Sequence, residues 1–147
     1  MARRSRTPQE VVASIVATLP GATLTHPFGE DIDVWKVGVS TAAGQAATGG
    51  KVFAITSPER RFVTLKVDPD RGAELVRDHS FVTPGYHTNK RHWVSVMVDE
   101  VTVPGLLEDL LEDAYELVVA ALPARTRFDV DPDRFPLPGR HRPGTGA

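Results

Sequence analysis

The densest group of polar and aromatic side chains in this sequence lies at residues 84–93, which read PGYHTNKRHW. These ten positions carry two cations, two imidazoles, one amide and two aromatic rings. Arg and Lys bind phosphate oxygens and aromatic rings stack on bases or sugars, so the run suits a nucleic acid or another flat anion. The same residue types also suit a plain turn, in which the amide and imidazoles bond to backbone groups, the rings pack at a sheet edge and the cations are solvated.

A strand predicted to follow this run indicates which side chains share its surface. The valines of 94–98 alternate along the chain, as do the apolar residues of 63–67. Because side chains alternate across a strand, these apolar residues should face packed helices and their neighbours should face the other way. The second face of the sheet is then expected to carry Arg91, Trp93, Ser95 and Met97 from one strand and Phe62, Thr64 and Lys66 from another.

The elements that position these residues follow from local signals. Thr7 to Glu10 form a capping box that begins a first helix, which ends at Pro20. Asp68 and Pro69 begin a short second helix, and a third follows Pro104 with an apolar stripe that includes Leu117. Strands are expected at 32–39, 51–56, 62–67 and 93–98, a small-residue loop at 40–50, and a type II turn at 83–86 with Gly85 at positive φ. The pattern predicts an α+β fold, an antiparallel sheet with N- and C-terminal helices packed on one face.

Length and composition limit the function classes. The chain has 147 residues, a formal charge of −2 and no cysteine, which excludes disulfide frameworks, thiolate nucleophiles and Cys-ligated metal sites. The charge is uneven. Seven of the 19 Asp and Glu residues lie at 99–116, where there is no Lys or Arg, and this leaves 12 acids against 17 bases elsewhere.

The chain is expected to form one domain at 1–122, followed by a Pro-, Gly- and Arg-rich tail at 123–147 that is largely disordered. No segment approaches the length of a membrane span, and the N-terminal basic and apolar stretch is interpreted as a capped helix because Glu10 would interrupt a signal peptide. We therefore expect a cytoplasmic protein, a monomer, that binds no membrane.

Other candidate motifs are weaker. GQAATGGK at 44–51 resembles a phosphate-binding loop but has Gln45 and Val52 where the motif needs Gly and Ser or Thr, and a strand is expected where the motif needs a helix. His26, His87 and His92 match no zinc spacing. Paired carboxylates in the third helix are interpreted as a solvated stripe. No catalytic residue, metal site or cofactor is predicted.

Five segments together resemble the MmcQ/YjbR family in order and spacing. They are His26-Pro27-Phe28-Gly29, Trp35-Lys36-Val37, Leu65-Lys66, Asp68-Pro69 and the run at 84–93. The resemblance covers the chain from the first helix to Leu122. It implies a CyaY-like fold in a double-wing arrangement that binds DNA, in small cytoplasmic proteins that are not known as enzymes. The long loop at 40–50 and the basic tail depart from the family pattern.

Three hypotheses follow. The first is a non-enzymatic DNA-binding protein, for which a regulatory role is one option. Its phosphate contacts would be Lys66, Lys90 and Arg91, with Tyr86, Asn89 and Trp93 positioning or stacking. The alternative is a binder of a small anionic metabolite, or an uncharacterised enzyme, that uses His87, Asn89, Arg91 and His92. The third is a protein-interaction module that uses the acidic face of the third helix, including Glu108 and Glu112.

Overall fold

The computed structural model describes residues 7–40, 48–85 and 88–137. Four α-helices and six β-strands follow one another in this part of the chain. In order, they are α1 Pro8–Val16, β1 Thr23–Thr25, β2 Asp33–Ser40, β3 Thr48–Thr56, β4 Phe62–Lys66, α2 Pro69–Asp78, β5 Val82–Pro84, β6 Trp93–Met97, α3 Leu106–Ala120 and α4 Ala124–Val130. None of the helices in the described ranges is long and apolar enough to cross a membrane.

The first two helices begin where the sequence predicts. Thr7 caps α1, and its Oγ1 accepts a hydrogen bond from the backbone N–H of Glu10 at 3.1 Å. Asp68 caps α2, and its carboxylate accepts from the N–H of Asp70 at 3.0 Å. Each cap satisfies a helix N–H that has no partner within the helix, and a proline follows each cap at the first helical position.

The six strands form one antiparallel sheet in the order β1-β2-β3-β4-β6-β5. A bulge interrupts the pairing of β2 with β3, where Trp35 faces Ala54 and Lys36 faces Val52. Phe53 is the additional residue, and both Phe53 and Ala54 join the core. The short strands β1 and β5 were not predicted, and β3 begins at Thr48, inside the expected loop. Residues 41–47 lie outside the described part of the chain.

The core lies between the helices and one face of the sheet, as predicted. The valines and leucines of β4 and β6 with the expected parity are buried there, together with the apolar side of α3. In α3, Leu117 is 39% exposed and Tyr115 is fully buried, so the apolar side lies slightly further round the helix than predicted. The Tyr115 hydroxyl donates to the carbonyl of Pro20 at 2.5 Å, and burial raises the pKa of this phenol above its ordinary value.

The expectation of a disordered tail does not hold for 124–137. Residues 124–130 form α4, which contacts β2, and Val130 and Phe135 pack against the core. The Arg134 guanidinium forms an ion pair with Glu116 of α3 and lies 3.7 Å from Glu112. The ordered part of the chain therefore extends beyond residue 122, because a few apolar side chains and one ion pair fix a segment whose composition is otherwise typical of disorder. Residues 138–147 are outside the described ranges.

The turn predicted at 83–86 is also different. Gly85 is not among the glycines with positive φ, and its N–H donates to the carbonyl of Trp93 at 2.9 Å, which continues the pairing of β5 with β6. A Cβ built at Gly85 would lie 2.6 Å from the Cβ of Trp93. Glycine is therefore needed here because two backbone segments approach closely, and not because of a left-handed conformation.

Candidate nucleic-acid interface

The second face of the sheet carries the residues that alternation predicts. In the pairing of β4 with β6, Phe62 lies opposite Met97, Thr64 opposite Ser95 and Lys66 opposite Trp93. Thr64 and Ser95 are nevertheless buried, and their hydroxyls hydrogen-bond each other at 2.8 Å. The centre of this face is thus covered, in contrast to the open surface that alternation alone suggested.

Lys66 and Trp93 form the best-defined contact between predicted site residues. The Lys66 ammonium lies 5.2 Å from the centroid of the Trp93 ring, which is within the range of a cation–π interaction. Both side chains are half-buried and come from directly opposed strand positions. The backbone N–H of Val67 donates to the carbonyl of His92, so the pairing continues into the loop that precedes β6.

The loop between β5 and β6 is held by three hydrogen bonds of its own. The Asn89 side-chain oxygen accepts from the N–H of Arg91 at 3.0 Å, and the Asn89 carbonyl accepts from the N–H of His92 at 3.1 Å. The Lys90 ammonium donates to the carbonyl of Gly85 at 2.8 Å. Asn89 therefore fixes the turn, as the plain-turn interpretation held, and Lys90 is partly used in closing the loop.

Arg91 is an accessible cation of this group. It is exposed, and its guanidinium forms no ion pair with any residue that the structure describes. We call Lys66, Lys90, Arg91 and Trp93 the basic–aromatic patch. His92 is half-buried and its backbone joins the sheet ladder. Tyr86 and His87, which the sequence also suggested, lie outside the described residues.

A cavity of about 610 Å³ opens at the other end of the second face. Its walls are the β1–β2 connection, the β3–β4 hairpin, part of β4 and one residue of the β5–β6 loop. The lining residues are Phe28, Gly29, Glu30, Asp31, Ile32, Ile55, Thr56, Ser57, Pro58, Glu59, Arg60, Phe62, Thr64 and Thr88. We call it the second-face cavity. Sequence reasoning missed it, and the signal nearest to it was the HPFG segment, whose Phe28 is 68% exposed.

This cavity is separate from the residues proposed for an anionic metabolite. Of the described residues at 84–93, Thr88 alone lines it. Three carboxylates and one guanidinium lie in its wall, Glu30, Asp31 and Glu59 against Arg60. The sign of the local charge is therefore opposite to what an anion requires, and this cavity does not support the hypothesis that uses His87, Asn89, Arg91 and His92.

The remaining candidates are tied into the fold. His26 Nε2 lies 3.0 Å from Asp33 Oδ1. Among the residues described, no group of three or more His, Asp or Glu side chains is arranged to hold a metal ion. On the acidic side of α3, Arg134 pairs with Glu116, so part of the face proposed for a protein partner is covered by the chain itself. Glu108 and Glu112 are exposed.

These observations define a small α+β protein with helices on one face of a six-stranded antiparallel sheet and a second face that carries both polar and apolar residues. A family model described as YjbR matches residues 17–117. The chain belongs to the YjbR family, as the resemblance of its motifs predicted.

Two of the similar proteins cover most of the chain. The uncharacterised protein YbdF of Escherichia coli O157:H7 is 35% identical over 125 residues, which is 84% of this chain and 93% of that protein. The uncharacterised protein YjbR of Escherichia coli K12 is 34% identical over 68 residues, 46% of this chain and 58% of that protein. The crystal structure of Deinococcus radiodurans DR2400, described as a DUF419 domain, has a TM-score of 0.72 and 30% identity, covering 93% of this chain and 96% of that one.

Proposed function

We propose that the protein binds DNA without sequence-specific readout, through phosphate contacts of the basic–aromatic patch. The observation that carries this proposal is the Lys66 ammonium held 5.2 Å from the Trp93 ring, with the exposed Arg91 two residues before Trp93 in the chain. A cation next to an aromatic ring offers a phosphate partner and a stacking surface in one place. No catalytic step is part of the proposal.

The patch is largely preformed, and this favours binding. Lys66 and Trp93 are fixed by directly opposed positions in β4 and β6. Arg91 follows a turn held by the side chain of Asn89. Side chains whose backbone is already ordered lose less conformational entropy when they bind a ligand. Asn89 is therefore a positioning residue for Arg91 in this proposal.

Lys90 adds a third, weaker contact. One of its N–H groups bonds to the carbonyl of Gly85, and an ammonium has three N–H donors. Two donors therefore stay available for a phosphate oxygen. Lys90 is exposed, so a phosphate can approach without opening the loop.

Salt dependence is the quantity that tests this proposal. Three cations that neutralise three phosphates of duplex DNA give a slope of log K against log salt of about −2.7. Affinity should then fall by about 40-fold between 50 and 200 mM salt. The measurement is fluorescence anisotropy of a labelled duplex of random sequence across this range, repeated with single-stranded DNA.

Two variants and one matched control complete the test. Lys66→Ala and Arg91→Ala should each reduce the magnitude of the salt slope by about one. Arg125→Ala is the control, because Arg125 is also an exposed cation above an aromatic ring, that of Phe128, but lies on α4. The proposal would be contradicted by a wild-type protein that does not bind DNA at low salt. It would also be contradicted if Lys66→Ala and Arg91→Ala gave the same salt slope as the control Arg125→Ala.

A further inference from the structure

The geometry points to a second ligand site, separate from the basic–aromatic patch: the second-face cavity binds a small organic cation, an ammonium group joined to an apolar body. The cavity volume of about 610 Å³ lies within the usual range of small-molecule sites. The inference does not rest on DNA binding, since the two sites share no residue.

The apolar part of the cavity suits the body of such a ligand. Ile55 and Phe62 come from adjacent strands, and Ile32 and Pro58 come from the flanking connections. Phe28 adds a ring that is 68% exposed. An aromatic ring of this size is costly to leave in water, and a ligand in the cavity would cover part of it.

The charged part of the cavity suits a cation. Glu30, Asp31 and Glu59 outnumber Arg60 in the wall. An ammonium would interact favourably with these carboxylates and with the faces of the neighbouring aromatic rings. A carboxylate or phosphate ligand would meet the opposite sign.

A buried hydroxyl supplies the second, independent observation. Thr88 lines the cavity, and its Oγ1 is buried with no hydrogen-bond partner among the described residues. Thr56 also lines the cavity, but it follows Ile55 in β3, so its side chain points to the opposite face of the sheet. Buried hydroxyls are rarely left unsatisfied, and a ligand with an N–H or O–H group would satisfy that of Thr88.

The test uses three probes that share a phenyl ring on a short chain and differ in charge. They are 2-phenylethylammonium, 2-phenylethanol and 3-phenylpropanoate, titrated into the full chain while backbone amide shifts are recorded. The ammonium should bind about fivefold tighter than the alcohol, since it adds interactions with carboxylates and rings, and the carboxylate should bind weakest. Shifts should centre on Ile55, Thr56 and Thr64.

Two variants separate a ligand site from a structural feature. Glu59→Gln should weaken binding of the ammonium probe by about two- to threefold and leave binding of the alcohol unchanged. Glu108→Gln, which removes an exposed carboxylate of α3, should alter the binding of neither probe. Thr88→Val should weaken binding of both the ammonium and the alcohol while the melting temperature stays the same or rises, because an unpartnered buried hydroxyl is removed.

Three results would overturn the inference. They are equal or tighter binding of the carboxylate probe, shifts that avoid the cavity residues, and full retention of ammonium binding in both Glu59→Gln and Thr88→Val. DNA binding is measured on the same variants. Loss of one activity with retention of the other identifies which of the two proposals fails.

Discussion

The two ends of the second face are built from the same pair of strands and have opposite chemistry. Phe62 lies beside the cavity, and Lys66, four residues further along β4, lies in the patch. At the rise of a β-strand these positions are about 13 Å apart. The cavity end is concave, and three of its four charged lining residues are carboxylates, whereas the patch end carries three cations and one aromatic ring.

This difference in charge shows how one face of a sheet can hold two independent sites. Between Phe62 and Lys66 on β4 lies Thr64, which is nearly fully buried, forms the inner edge of the cavity and bonds the hydroxyl of Ser95. The β5–β6 loop contributes to both ends, since Thr88 lines the cavity and Arg91 belongs to the patch. Changes to this loop should therefore affect both sites, and changes beyond it should affect one.

The largest effect is expected from Gly85→Ala. The new Cβ would lie 2.6 Å from the Cβ of Trp93 and 3.0 Å from its carbonyl carbon, so the loop must move away from β6. We expect a loss of about 1–3 kcal/mol in the free energy of unfolding. Urea unfolding measures the loss, and DNA affinity should fall with it because Trp93 is displaced.

Gly29→Ala is the matched control. Gly29 has a φ of 124°, and a Cβ there would meet nothing within 4 Å, so any cost comes from the local backbone alone. This variant should leave the near-UV circular dichroism of Trp93 and the DNA affinity unchanged. Unaltered stability and unaltered DNA affinity in Gly85→Ala would show that the loop does not link the two ends.

An intermediate effect is expected from the hydroxyl pair. Thr64→Val keeps the side-chain volume and removes the hydroxyl that bonds Ser95, and Ser95→Ala removes the other partner. Each should cost about 1 kcal/mol in the free energy of unfolding. The double variant should cost less than the two single costs together, with a coupling of at least about 0.5 kcal/mol. Strict additivity would mean that the pair does not hold the centre of the face.

Sequence patterns anticipated the patch much better than the cavity. Alternation in two strands was enough to place Lys66 and Trp93 on one face, because the period of a strand is fixed by its geometry. The cavity combines residues 28–32, 55–60, 62, 64 and 88, which come together only through the connections between strands. No local period encodes that arrangement.

The C-terminal segment is a second region whose structure could not be predicted from its local sequence. Its Pro and Arg content is typical of a disordered tail, yet Val130 and Phe135 pack against the core and Arg134 pairs with Glu116. These contacts depend on where α3 lies, which the segment's own composition does not reveal. The capping residues Thr7 and Asp68 were predictable for the opposite reason, since each acts within a few residues of itself.

The smallest effect is expected on DNA affinity when a charge at the cavity end is removed. Glu59 lies in the hairpin beyond Phe62, so its distance from Lys66 exceeds the span of about 13 Å along β4. The Debye length is about 8 Å at physiological ionic strength, which screens exposed charges at that separation. Glu59→Gln should therefore change DNA affinity by less than about twofold at this salt concentration, although it weakens the ammonium probe in the cavity. Anisotropy with the same duplex measures this. A rise of tenfold in DNA affinity would mean that DNA also passes over the cavity end, and the two regions would then form one surface.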